Sequence, residues 1–114
     1  MTNSDIKITP VTGTAVVRAG GAVIGETGNA LRVTVGGADP VYYFPKDDIG
    51  MMFLDANDQR MTDPNLGEAV QFDIVTKSTT LKNAAWSFDR PATEAASLRN
   101  MLAFDEEKAV VEIL

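Results

Sequence analysis

The stretch Leu31-Arg32-Val33-Thr34-Val35-Gly36-Gly37-Ala38-Asp39-Pro40-Val41-Tyr42-Tyr43-Phe44-Pro45 decides the class of this fold. Leu31, Val33 and Val35 alternate with Arg32 and Thr34, which is the period of a strand with one buried face. Gly36 to Pro40 is turn chemistry, and Val41 to Phe44 resumes with residues that favour strands. Pro45 ends that second run, because proline offers no N–H to a ladder. The unit is strand, turn, strand, with no helical period anywhere in it.

The same reading extends in both directions. Upstream, Thr14 to Arg18 and Ala22 to Ile24 flank Ala19-Gly20-Gly21, a Gly pair able to take the positive φ of a tight hairpin. Thr27-Gly28-Asn29 supplies the next turn. Downstream, Lys46-Asp47-Asp48-Ile49-Gly50 suits one turn of helix, with Pro45 at its start and acids following. The apolar run Met51-Met52-Phe53-Leu54 then extends, and Asp55 to Gly67 reads as a polar loop. Ala69–Val75 and Leu81–Phe88 form a hairpin around Lys77-Ser78-Thr79-Thr80. Pro91 to Asn100 is expected to be helical, with Glu94 in its first turn and Ala95, Ala96 and Leu98 as helix formers. Met101 to Leu114 divides at Asp105-Glu106-Glu107 into two short strands. The expectation is one antiparallel, mainly β domain over residues 1–114, a sandwich or curled roll of about eight strands with one short helix near 91–100.

Composition removes much chemistry. The 114 residues hold ten Lys+Arg against 16 Asp+Glu, a formal net charge of −6, with no His and no Cys. Disulfides, thiol nucleophiles, imidazole bases and the usual zinc ligands are therefore absent. A nucleic-acid partner is not expected, since it calls for clustered cations. Met1-Thr2-Asn3-Ser4-Asp5 lacks the basic-then-apolar order of a signal peptide, and no apolar run is long enough to span a bilayer, so no membrane partner and a cytoplasmic location are expected.

Three motifs invite a function. Gly20 to Gly28 is Gly-rich, but no Lys follows the glycines and both flanks are strand-like, so hairpin turns explain it better than a phosphate loop. Asp55-Ala56-Asn57-Asp58-Gln59-Arg60 begins like a calcium loop, yet Arg60 stands at the obligatory glycine and Leu66 at the bidentate Glu. Asp47-Asp48 is the best acidic pair for magnesium, with helix-start stabilisation as the plainer reading. There is no Gly-x-Ser-x-Gly elbow. No cofactor and no metal-ligand set is expected.

The eight aromatic residues include two clusters, Tyr42-Tyr43-Phe44 and Trp86 with Phe88. On strands, Tyr42 and Phe44 share one face and Tyr43 takes the other, while Trp86 and Phe88 lie on the same side. One set fills the core; the other can line a pocket with polar tips on apolar walls.

Val41-Tyr42-Tyr43-Phe44-Pro45-Lys46-Asp47-Asp48-Ile49 resembles the "yYfP-x-x-D-V" signature of domain-of-unknown-function family 427. Trp86-Ser87-Phe88-Asp89-Arg90-Pro91 is similar to its "W-x-Y-x-x-P" element, and Ala103-Phe104-Asp105 to the step before its last strand. Val23 to Thr27 falls where the family has an early hairpin, so the resemblance spans about Val16 to Ile113. It implies a β-rich fold. It also implies a nucleotidyltransferase label, which the residues do not support: Pro45 breaks the strand before Asp47-Asp48, and adjacent acids cannot face metals from one side of a strand. The family's Thr-x-Cys-Pro-Tyr/Trp-Lys-Gly loop becomes Thr62 to Gly67 here, with Asp63 at the Cys and Leu66 at the Lys. The loop is expected to be a structural turn set by Pro64 and Gly67, with Asp63 a freely changeable surface acid.

Two functions follow. The first is a non-catalytic module holding an unknown small molecule in a cleft lined by Tyr42 or Tyr43 and Trp86 and rimmed by Lys46 and Asp63. The second is a metal-assisted transferase or hydrolase using Asp47, Asp48 or Asp63, with Lys46 placing an anionic substrate. A homodimer through Met51-Met52-Phe53-Leu54 is a further expectation.

Overall fold

The computed structural model describes residues 5–114; the expectation placed on Met1 to Ser4 lies outside them. Ten strands form two sheets, joined only by short turns: β1 (Ile6–Pro10), β2 (Ala15–Ala19), β3 (Ala22–Thr27), β4 (Leu31–Val35), β5 (Val41–Pro45), β6 (Leu54–Asp63), β7 (Gly67–Val75), β8 (Thr80–Pro91), β9 (Met101–Phe104) and β10 (Val110–Ile113). The larger sheet has seven strands in the order β1-β4-β5-β9-β8-β7-β6, and the smaller has three in the order β10-β2-β3. Every pairing is antiparallel. The mainly β, antiparallel class read from the sequence is the class observed.

The hairpin expected at Gly20-Gly21 is present. Both residues have positive φ, 57° and 80°, the left-handed pair that a two-residue turn demands. β9 is the keystone of the large sheet. All four of its residues are buried, and it joins β5 through Phe44↔Leu102 and Pro45↔Met101 and β8 through Ala85↔Phe104 and Trp86↔Ala103. A strand buried on both faces has no polar side, which is why Met101-Leu102-Ala103-Phe104 carries no alternation.

Two apolar clusters result. One packs the small sheet on the large one, drawing Val17 and Ile24 from the former and Phe44, Ile74, Leu102 and Phe104 from the latter. The other includes Val33, Tyr43, Phe88, Leu98 and Ala103. Phe44 and Tyr43 are consecutive yet belong to different clusters, as strand alternation requires.

One strand lies where no element was expected: Ile6–Pro10, registered on β4 from Ile6↔Val35 to Pro10↔Leu31. Three expectations need correction. Asp55 to Gly67 is not a loop: β6 occupies Leu54–Asp63 and pairs with β7, with a register shift between Ala56 and Arg60. As an edge strand with mostly exposed side chains, β6 needs no apolar alternation, and the bulge breaks what period it has. The helix expected near 91–100 is reduced to 3-10 turns over Thr93–Leu98, interrupted at Ala95 (φ −113°, ψ 19°). Ala95 N–H bonds to the Ala92 carbonyl and Arg99 N–H to that of Ala96, the tighter i+3 pattern of a segment too short to propagate an α-helix. Met51–Phe53 is likewise a 3-10 turn rather than a strand, with Met52 87% exposed and Leu54 buried. The single turn expected after Pro45 is present at Lys46–Asp48.

Candidate functional site

The alternation of β5 that sends Phe44 into the sheet-to-sheet core sends Tyr43 to the opposite face. There it meets β8, where Trp86 and Phe88 share a side. The Trp86 indole N–H donates to the Tyr43 hydroxyl at 3.2 Å, and the Phe88 ring lies 6.3 Å from that of Tyr43 at 34°. These three side chains form part of the wall of a cavity of about 200 Å³. Val33 and Val35 of β4, Val41 of β5 and Met61 of β6 are among its other apolar groups, and Asp39 and Asp63 are the charged groups that line it.

Tyr43 is only 1% exposed. Burial pushes its phenol up to about 12; the Trp86 hydrogen bond pulls the other way and the Asp63 charge adds to the rise. It is therefore a neutral O–H at any physiological pH, a donor and not a phenolate base or nucleophile. Its oxygen accepts from Trp86, and no acceptor for its own proton stands among the described residues.

Asp63 ends β6, and its role differs from the one expected. Its Oδ1 accepts from the backbone N–H of Asn65 at 2.8 Å and of Leu66 at 2.9 Å, so the carboxylate itself holds the turn. Gly67 completes it with φ of 114°; a Cβ there would lie 2.4 Å from the Arg90 carbonyl oxygen. The Leu66 carbonyl then accepts from Ala92 N–H at 2.8 Å, tying the turn to the end of β8. Asp63 is thus not freely changeable.

The remaining sequence-derived candidates lie elsewhere. Lys46 and Asp47 line a second hollow of about 360 Å³ with Ser97, Arg99 and Asn100. Lys46 Nζ sits 6.0 Å from the centre of the Phe72 ring. Asp48 Oδ2 accepts from the buried Thr27 hydroxyl at 2.7 Å, a bond that pins the Lys46–Asp48 turn to β3. Tyr42 packs against the sheet-to-sheet core. So Tyr43, Trp86 and Asp63 share one cavity, and Tyr42, Lys46, Asp47 and Asp48 do not line it. Among the described residues, no group of three or more carboxylates is placed to hold a metal ion.

Sequence reasoning missed Asp39, Met61 and the valines of β4 as cavity residues. It also missed Asp73, a carboxylate 7% exposed on β7 between Phe72 and Ile74. Its Oδ1 accepts from Asn57 Nδ2 at 2.7 Å and from Asn83 N–H at 2.9 Å, and its Oδ2 from Lys82 Nζ at 3.3 Å. The Asn83 backbone bond, with those from Asn57 and Lys82, holds this carboxyl below the usual range against a desolvation that opposes it. Asn83 itself has φ of 53°, so the cluster fastens an irregular point of β8. An acid inside an apolar strand run was the available signal.

Fold and cavity together define an all-β domain with an aromatic, acid-rimmed hollow on one face of its larger sheet. The chain matches, over residues 7–113, the family model described as a domain of unknown function (DUF427), and it belongs to that family. No curated protein matches it.

Proposed function

We propose that this domain is a non-catalytic module that binds a small molecule in the cavity walled by Tyr43 and Trp86. One observation carries the reading: a fully buried Tyr43 O–H, held in place by Trp86, has no acceptor for its proton among the described residues. A buried donor without a partner is costly, and a ligand oxygen or nitrogen would satisfy it. The walls suit the same role, being mainly apolar with a few polar groups to orient what enters. A cavity of about 200 Å³ corresponds to roughly seven waters at ~30 Å³ each, so the ligand is the size of one ring with a short substituent.

The metal-assisted transferase or hydrolase, using Asp47, Asp48 or Asp63 with Lys46, draws less support. Asp63 lines one hollow while Lys46 and Asp47 line the other, Asp48 is tied to the Thr27 hydroxyl, and no group of three or more carboxylates among the described residues is placed to hold a metal ion. We propose a cytoplasmic location, with which a chain without Cys is compatible. No helix among the described residues is long and apolar enough to cross a membrane. A second copy, if one binds, has the exposed Met52 as its natural contact.

A thermal-shift screen of fragments and metabolites, read with and without magnesium, tests the binding reading. Because Trp86 is the single tryptophan, its fluorescence reports occupancy directly. Metal-independent stabilisation with a change in Trp86 emission is expected. Hits that need magnesium and undergo turnover would favour the enzyme instead.

A further inference from the structure

The charges around the cavity are one-sided. Asp39 and Asp63 line it, and no Lys or Arg does. The cations of neighbouring positions are directed elsewhere: Arg60, one residue before Met61 and so on the other face of β6, bonds to Asp89 at 2.7 Å, and Arg32 is exposed on the side of β4 opposite Val33. Asp63 is also held rigidly. Its Oδ1 is occupied by two backbone N–H groups, while its Oδ2 has no hydrogen-bond partner among the described residues. A carboxylate fixed by one oxygen and free at the other is a pre-organised acceptor, so little ordering cost accompanies a new bond to it.

We infer that the ligand is a small amine: an ammonium group received by Asp63 with Asp39 nearby, an apolar ring or chain against Trp86 and Met61, and an oxygen that accepts the Tyr43 proton. The indole and phenol faces add to this preference, because aromatic rings attract cations. Phosphates and nucleotides are disfavoured, since two carboxylates repel them and no cation in the wall offsets that repulsion. The inference rests on the cavity being a binding site, and it names the ligand class for that site.

The test compares three molecules of nearly one shape: tyramine, neutral para-ethylphenol and the anionic para-hydroxyphenylpropionate, each titrated against Trp86 emission. Tyramine is expected to bind about tenfold or more tightly than either counterpart, the margin of a charge-assisted hydrogen bond. Asp63→Asn keeps an Oδ1 acceptor for the Asn65 and Leu66 N–H groups while removing the charge, so it should fold normally and lose that margin. Asp47→Asn, an exposed acid outside the cavity, should leave the titration unchanged. Equal binding of the three molecules, or an undiminished tyramine preference in Asp63→Asn, overturns the amine inference and leaves the cavity reading intact. If none of the three binds, the amine inference fails. The fragment screen then decides the cavity reading separately, since neutral or anionic hits that change Trp86 emission would preserve it.

Discussion

Phe44 and Tyr43 are neighbours on one strand with opposite fates. Phe44 is fully buried between the sheets and meets Phe104 edge-on at 5.6 Å, in a cluster of buried apolar groups. Tyr43 is as deeply buried, yet it borders about 200 Å³ of space and carries a hydroxyl proton that no group among the described residues accepts. One face of the large sheet is closed by apolar packing; the other keeps room beside Tyr43. Burial therefore does not separate core from site in this molecule. Completion of packing does, whereas an unmet hydrogen bond alone does not, since the buried Ser87 Oγ also lacks a partner among the described residues.

The largest effect should come from breaking the packed face. Phe44→Ala removes a ring from a filled core and is expected to cost about 3–5 kcal/mol, read as a lower urea midpoint with an unchanged slope. A loss below about 1 kcal/mol would mean that this face is no better packed than the other.

Asp73 sharpens the comparison from the polar side, because its hydrogen bonding is as complete as that of Tyr43 is incomplete. Asp73→Ala leaves the Asn83 N–H and one hydrogen of Asn57 Nδ2 unpaired and should cost about 1–3 kcal/mol by denaturant titration. The carboxyl titrates below its unfolded value, so its contribution is present above pH ~3.9 and lost as pH falls through the lower folded value. The melting temperatures of wild type and Asp73→Ala should converge below that point.

Tyr43 gives the opposite limb. An unfolded tyrosine releases its proton near pH 10, whereas the folded phenol holds on until about 12. The unfolded state then binds fewer protons, so stability falls between those values, by up to about 3 kcal/mol from this group. Tyr43→Phe should flatten that alkaline loss relative to wild type, at a cost near neutrality of about 1 kcal/mol for the Trp86 N–H left without its acceptor.

The smallest effect distinguishes two substitutions of one residue. Asp63→Ala removes the acceptor for two backbone N–H groups and should lower stability by about 1 kcal/mol. Asp63→Asn keeps that acceptor and should stay within about 0.5 kcal/mol of wild type in the same thermal melts.

Much of the frame was legible because strands with one buried face announce themselves. Leu31 to Val35 and Val41 to Phe44 alternate, the Gly20-Gly21 turn has its glycines where positive φ falls, and Trp86 and Phe88 share a side by spacing alone. The edge strands of the large sheet were not legible. β1 is a five-residue strand ending in Pro10, and β6 carries polar residues on both faces with a bulge through its middle. The expected helix failed because Ala and Leu propensity over so few residues cannot carry nucleation, and burial of Ala95 and Leu98 is met by 3-10 turns. At the site, Tyr43 and Trp86 were legible from aromatic clustering. Their partnership with Asp63 was not, since 20 residues separate Asp63 from Tyr43 in the chain and three strands, β9, β8 and β7, stand between β5 and β6 in the sheet. Lys46, Asp47 and Asp48 lie next to Tyr43 in sequence, but past Pro45 the chain turns toward β3 and leaves the cavity.

The most direct measurement is ligand binding by wild type and Tyr43→Phe side by side, using the strongest hit of the fragment screen and following Trp86 emission. Removing one hydroxyl takes away the unpaired donor and leaves the ring, so the fold should persist while affinity falls about tenfold, as for a hydrogen bond of ~1.4 kcal/mol. Equal affinity in the two proteins, or tight binding that leaves Trp86 emission unaltered in both, would contradict the assignment of this cavity as the binding site.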